Sequence, residues 1–170
     1  MNYFCIKIKL GWCGVVGSEK GLKEIILPSL SRTMVIKRIK TTYPDIIPKR
    51  RLFNDFIEAV KIYFQTGRLN FRGNLDLANI TAFNRSVYRV VKTIPPGAVR
   101  TYGWVAKQLK KHKAVRAVGN ALAKNPLPLV IPCHRVIRSD GTLGKFSALA
   151  GISLKKRLLE LERKTTDYTD

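Results

Sequence analysis

Negative charge is what this chain of 170 residues has least of: 11 acidic side chains stand against 32 lysines and arginines, a formal net charge of +21. The shortage is uneven. No acidic residue falls between Asp76 and Asp140, while twelve basic ones do: Arg85, Arg89, Lys92, Arg100, Lys107, Lys110, Lys111, Lys113, Arg116, Lys124, Arg135 and Arg138. A field of one sign over such a stretch favours a polyanionic partner bound in a salt-sensitive way through counterion release. A merely solubilising surface is the plainer alternative. Nucleic acid is the favoured partner.

Other absences narrow the class further. With only three cysteines, Cys5, Cys13 and Cys133, chemistry or burial is the expected use of a thiol more than a disulfide framework. Apolar runs are short; "LPLVI" is far below the length that spans a bilayer, so no membrane association is expected. The opening "MNYFCIKIKL" alternates lysine with apolar residues and lacks the small-residue cleavage site of a signal peptide, so a soluble, cytoplasmic protein is expected. Internal repeats and low-complexity segments are also missing. What remains, 45% hydrophobic and 25% charged residues, is a globular composition long enough to bury a real core.

The N-terminal third reads as a small α/β unit. "YFCIKIKL" and "WCGVVG" are β-rich and separated by a glycine, and "GLKEIILP" reads as a third strand ended by its proline. "RRLFNDFIEAVKIYFQTG" carries Leu52, Phe56, Ala59, Val60, Tyr63 and Phe64 at helical spacing, with Gly67 as the C-cap. "RLNFRGNLDLAN" has little periodicity and sets the expected domain boundary near residue 78.

The rest reads as mostly helical. "TAFNRSVYRVVKTIPPG" offers Thr81 as N-cap and a stripe of Phe83, Val87, Val90, Val91 and Ile94, stopped by Pro95, Pro96 and Gly97. Two short helices follow, Trp104 to Leu109 and Val115 to Ala123, joined by a basic turn. They suit a helix-turn-helix, although an αα-hairpin with no DNA role gives the same pattern. In "VRAVGNALA" the small residues Ala117, Gly119 and Ala121 leave only Arg116 and Asn120 able to reach base edges. Such a smooth helix either lies close to a groove without reading much sequence, or packs tightly in the core, or does both on opposite faces.

"NPLPLVIPCHRVI" sets Cys133 beside His134, with Pro132 before and Arg135 after. A thiol is nucleophilic as a thiolate, and an imidazole or a positive field favours that form. In a strand, however, adjacent side chains point to opposite faces, so cooperation of the pair needs a turn or a bridging water. From the residues alone, a buried inert thiol and a nucleophile remain open alternatives.

Taken with "RAVGNALAKNP" before it and "RTYGWVA" upstream, the segment resembles the O6-alkylguanine-DNA alkyltransferases, over about Phe83 to Glu162. The resemblance implies an α+β fold: a ribonuclease-H-like α/β domain over residues 1–78, then a mostly helical winged-helix or helix-turn-helix domain over 79–170. It implies DNA repair by direct reversal, with one irreversible transfer of the alkyl group from O6-alkylguanine, and as a further candidate O4-alkylthymine, to Cys133. Double-stranded DNA is then the partner, no cofactor is needed, and the protein is expected to be a monomer, with cooperativity on DNA left open.

Residue by residue, the resemblance makes Cys133 the alkyl acceptor and His134 the base acting through a water. The paired leucines of "GISLKKRLLELERK" match Leu158 and Leu159, which makes Glu162, and not Glu160, the acid of that relay. Asn125 would organise the active-site turn, Arg116 would enter the duplex where the target nucleotide leaves, and Ala117, Gly119 and Asn120 would lie along the DNA. Tyr102 would press on the 3′ phosphate and donate to the base. Pro132, the Val136 backbone, Phe146 and Ser147 would line the alkylguanine pocket. Where many relatives carry tyrosine this chain has Phe146, and its loop between Ser147 and Gly151 is two residues longer than in some; both bear on the adduct size accepted.

Some relatives hold a structural zinc near the N-terminus, but no histidine precedes His112 here, which argues against four ligands. A cross-strand disulfide between Cys5 and Cys13 is a minor alternative. Two rival functions stand beside the alkyltransferase. Alkyltransferase-like lesion binders replace the acceptor cysteine, so Cys133 speaks against them. A cysteine hydrolase would want a distant base and a third orienting residue, and would leave the acid-free segment unexplained.

Overall fold

The computed structural model describes residues 1–29, 31–144, 146 and 151–166. Strands β1 (Asn2–Ile8), β2 (Gly11–Ser18) and β3 (Gly21–Ser29) form an antiparallel meander, and a short β4 (Ile47–Pro48) pairs parallel with β1, giving the order β3-β2-β1-β4. Pro28 lies inside β3 and does not end it.

Alternation along the strands supplies two apolar faces. One, with Tyr3, Cys5, Val16 and Ile26, is covered by α1 (Arg32–Thr42) through Val35 and Ile39. The other, with Ile6, Cys13, Val15 and Ile25, meets α2 (Asn54–Thr66), and its apolar cluster continues through Val87, Val118 and Ile131 to Leu158. Cys5 is opposite Gly14 and Cys13 opposite Ile6, so the two thiols sit on opposite faces; both are free, and the disulfide alternative fails on that register.

Helix α2 starts later than the spacing predicts. Residues Arg50–Phe53 form a 3₁₀ turn in which Phe53 is buried and Leu52 is 53% exposed, so Leu52 leaves the expected stripe and Phe53 and Ile57 join it. The predicted cap is present: Gly67 is left-handed at φ 66° and its N–H donates to the Tyr63 carbonyl.

After an irregular segment tied to β3 by a bridge between Leu22 and Leu75 come α3 (Ala82–Lys92), β5 (Arg100–Thr101), α4 (Tyr102–Gln108) and α5 (Val115–Ala123). Thr81 and Thr101 cap α3 and α4 through their hydroxyls, as Ser31 caps α1. Tyr88 on α3 donates its hydroxyl to the Ala121 carbonyl of α5 at 2.9 Å, fixing the two helices together. Strand β6 (Val136–Ile137) pairs parallel with β5, and α6 (Gly151–Thr166) closes the described fold.

Candidate active site

Cys133, His134 and Arg135 form a single 3₁₀ turn between Pro132 and β6. That settles how adjacent side chains can act on one place: the segment is not a strand, and neighbouring side chains need not oppose. All three are buried, with His134 wholly so.

The segment leading into the turn is held by Asn125. Its Nδ2 donates to the Ile131 carbonyl at 2.8 Å, and its Oδ1 accepts from the Leu127 N–H at 3.0 Å. The Ile25 N–H of β3 donates to the Pro126 carbonyl at 2.7 Å, and Leu129 is kept at φ 74°. A branched side chain rarely adopts that conformation unless its surroundings impose it.

Behind the turn lies a charge cluster. His134 Nε2 is 2.7 Å from Glu162 Oε1; Arg135 donates from Nε to Oε2 at 2.9 Å and from Nη2 to Oε1 at 2.8 Å. Arg135 Nη1 also donates to the Ile94 carbonyl, and the Gly97 N–H to Glu162 Oε2. Burial by itself pushes the Glu162 carboxyl up, but the hydrogen bonds from His134 and Arg135 outweigh it and hold the group near 2. Glu162 is therefore an anion that only accepts, so His134 carries its proton on Nε2 and presents a lone pair on Nδ1. Nδ1 has no partner among the described residues. Burial pushes His134 below its ordinary range against the pull of Glu162, which keeps the ring neutral.

Burial also pushes the Cys133 thiol up, opposed by a hydrogen bond from Asn125 and by the charge of Lys155. The thiol is thus protonated near neutral pH and needs a base to react. Lys155, on α6, is 1% exposed; its ammonium donates to the Val136 and Leu143 carbonyls, and burial lowers its pKa to about 8.

On the open side of Cys133 is a cavity of about 650 Å³ lined by Tyr102, Arg116, Gly119, Asn120, Arg138 and Phe146, among others. This lies within the roughly 300–1,000 Å³ of small-molecule sites. Tyr102, half-buried at the start of α4, places its hydroxyl beside Gly144. Helix α5 divides as its sequence suggests: Val118, Ala121 and Leu122 are buried, while Arg116, Ala117 and Asn120 are exposed.

The structure thus brings Cys133, His134, Glu162, Asn125, Tyr102 and Phe146 around one turn and its cavity. Pro132 is buried beneath it. The Val136 backbone is largely engaged already, its N–H with the Cys133 carbonyl and its carbonyl with Lys155. Ser147 lies outside the described residues. Glu160 is exposed and near Lys156, away from His134. Sequence reasoning gave no site role to Tyr63, Arg135, Arg138 or Lys155. Lys155 carried a usable signal, since it falls on the same helical face as Leu158, Leu159 and Glu162, where an unpaired lysine is out of place. Among the described residues no group of three or more potential metal ligands is found, and no helix is long and apolar enough to cross a membrane.

Known proteins resemble this chain in sequence and in fold. The family described as "6-O-methylguanine DNA methyltransferase, DNA binding domain" matches residues 82–164. A methylated-DNA–protein-cysteine methyltransferase of Methanosarcina mazei is 34% identical over 162 residues, which are 95% of this chain and 97% of that protein. One from Methanothermobacter thermautotrophicus is 36% identical, covering 88% and 78%. The crystal structure of Mycobacterium tuberculosis OGT in complex with DNA matches with a TM-score of 0.80 at 33% identity, over 97% of this chain and 94% of that one. On that similarity, which runs through both halves of the fold and through the turn bearing Cys133, the chain belongs to the methylated-DNA–protein-cysteine methyltransferase family.

Proposed function

We propose that this protein repairs O6-alkylguanine in double-stranded DNA by direct reversal, moving the alkyl group to Cys133 once and irreversibly. The observation that carries this reading is the position of Cys133: at the wall of a cavity of about 650 Å³, roomy enough for a nucleobase, with a buried neutral histidine and an ionised glutamate immediately behind it.

In this reading the target nucleotide swings out of the stack into the cavity, at a cost of roughly a few kcal/mol. The Arg116 side chain, exposed on α5, fills the gap it leaves, while Ala117, Gly119 and Asn120 let the helix lie close to the DNA. Helices α4 and α5 act as a helix-turn-helix, the sheet half as a ribonuclease-H-like domain, and the boundary between them falls near residue 78. His134 Nδ1 takes the thiol proton through a bridging water, and Glu162 steadies the imidazolium that results. The Cys133 Sγ electron pair forms the bond to the alkyl carbon as the carbon–O6 bond breaks. The bonding pair of the broken carbon–O6 bond stays on O6 and spreads into the guanine ring, which takes up a proton from solvent, equal to the one the thiol gave up, and leaves as ordinary guanine. The Tyr102 hydroxyl stabilises the developing negative charge. Acceptor, base and leaving-group donor are all side chains, so no cofactor enters.

The protein is read as acting alone, as a monomer in the cytoplasm. The test is base analysis of a duplex containing one O6-methylguanine after incubation with excess protein. Wild type converts the lesion to guanine and Cys133→Ala does not. A lesion left intact but tightly bound by wild type identifies a damage sensor instead.

A further inference from the structure

A side chain from the N-terminal part of the chain reaches the charge cluster. Tyr63, in the last turns of α2, has no exposed surface, and its hydroxyl donates to Glu162 Oε1 at 3.0 Å. That single oxygen therefore receives three donors: His134 at 2.7 Å, Arg135 at 2.8 Å and Tyr63 at 3.0 Å.

We infer that Tyr63 is a positioning residue of the alkyl-transfer relay, its hydroxyl fixing Glu162 against His134 and setting how firmly the histidine holds a proton. The inference rests on the functional reading above. Its physical basis is competition for one lone-pair-bearing oxygen. A carboxylate oxygen in a dry interior distributes its charge among its donors, so each hydrogen bond leaves less for the others. Burial first, and then the negative charge of Glu162, hold the Tyr63 proton firmly on the phenol, so Tyr63 acts only as a donor. Two other charged groups and one titratable thiol bear on the pair. Arg135 donates to Glu162, and Arg135 together with Lys155 of α6 disfavours a protonated His134, while Cys133 faces Lys155 from the same turn. None of these is on α2, so Tyr63 gives the sheet-bearing half of the chain a direct hydrogen bond to the relay carboxylate.

Removing only the hydroxyl leaves Oε1 with more charge to offer His134. The imidazolium is then more stable, and the ring stays protonated, unable to act as a base, to a higher pH. The experiment is the single-turnover rate of methyl transfer from a duplex containing O6-methylguanine, followed from about pH 5 to pH 9 for wild type and Tyr63→Phe. Thermal unfolding of both proteins monitors their folding. The midpoint of the acid-side fall in rate is expected to move up by about 0.5–1 pH unit. A rate reduced by the same factor at every pH, or profiles that superimpose, means that Tyr63 only packs and overturns the inference. A second measurement needs no variant. In the wild-type protein a slowly exchanging Tyr63 hydroxyl proton should show a nuclear Overhauser effect to the His134 Nε2–H. Its absence contradicts the shared oxygen. A wild-type protein that transfers no methyl group at any pH defeats the functional reading itself, a result distinct from unshifted profiles.

Discussion

The Lys155 ammonium donates to the Val136 carbonyl at 2.6 Å from inside the fold, and it also holds the Leu143 carbonyl. It therefore staples the strand that follows Cys133 to the segment leading toward Phe146, and it places a positive charge beside the thiol. Lys155→Met removes the staple and the charge together. Orphaned buried acceptors cost about 1–3 kcal/mol each, partly offset by no longer burying a charge. The thermal midpoint should fall, and alkylation of Cys133 by iodoacetamide should slow by a factor on the order of 3–10. Alkylation at the wild-type rate contradicts the electrostatic part of this account.

The carboxyl of Glu162 gives a pH signature. Its folded value, about 2, lies below the ordinary value of 4.5. A depressed carboxyl contributes stability that is fully present above about pH 4.5 and is lost as pH falls toward 2. Wild type should therefore lose thermal stability across that window more steeply than Glu162→Gln, with the two curves converging at the acid end. At neutral pH the variant should be less stable by roughly 3–5 kcal/mol, because Arg135 keeps its buried charge without a partner. Parallel curves contradict the assignment.

Much of this fold is legible in the sequence, and the exceptions have physical reasons. The hairpin strands, the Thr81 and Gly67 caps, and the bounds of α5 follow from alternation, spacing and turn chemistry. Helix α1 left no usable pattern because only Val35 and Ile39 of its residues are buried among many lysines and arginines. Leu52 and Phe53 exchanged places because a 3₁₀ turn shifts the helical phase. In the site, Glu162 contacts His134 while Glu160 lies near Lys156, a difference the leucine spacing of α6 makes readable. The Tyr63 hydroxyl bond was invisible because it joins residues 99 positions apart, and periodicity reports burial without naming a polar partner.

Gly144 lies close against Tyr102 at the cavity. It is left-handed at φ 68°, and a Cβ there would lie 3.1 Å from the Tyr102 hydroxyl oxygen. Gly144→Ala should cost about 1–2 kcal/mol in backbone strain and displace that hydroxyl. Methyl transfer should slow while affinity for undamaged duplex stays unchanged. Equal rates for variant and wild type would show that Tyr102 Oη has no part in the chemistry.

On the proposed function, Arg116 should separate binding from extrusion. Exposed on α5 and lining the cavity, it is one cation among many on the acid-free segment. Arg116→Ala should lower the salt slope of binding to undamaged duplex by at most about one, as loss of a single phosphate contact would. The transfer rate should fall at least about tenfold, because the extruded state loses the side chain that fills its gap. Loss of affinity with an intact rate at saturation contradicts this division.

The central claim is that Cys133 itself keeps the alkyl group. The direct measurement is the intact mass of the protein after reaction with an excess of duplex DNA containing O6-methylguanine, followed by peptide mapping. The account predicts a gain of one methyl mass per chain, no further gain with time, and its location on Cys133. A repaired duplex with unmodified protein, or a methyl group on another residue, contradicts it.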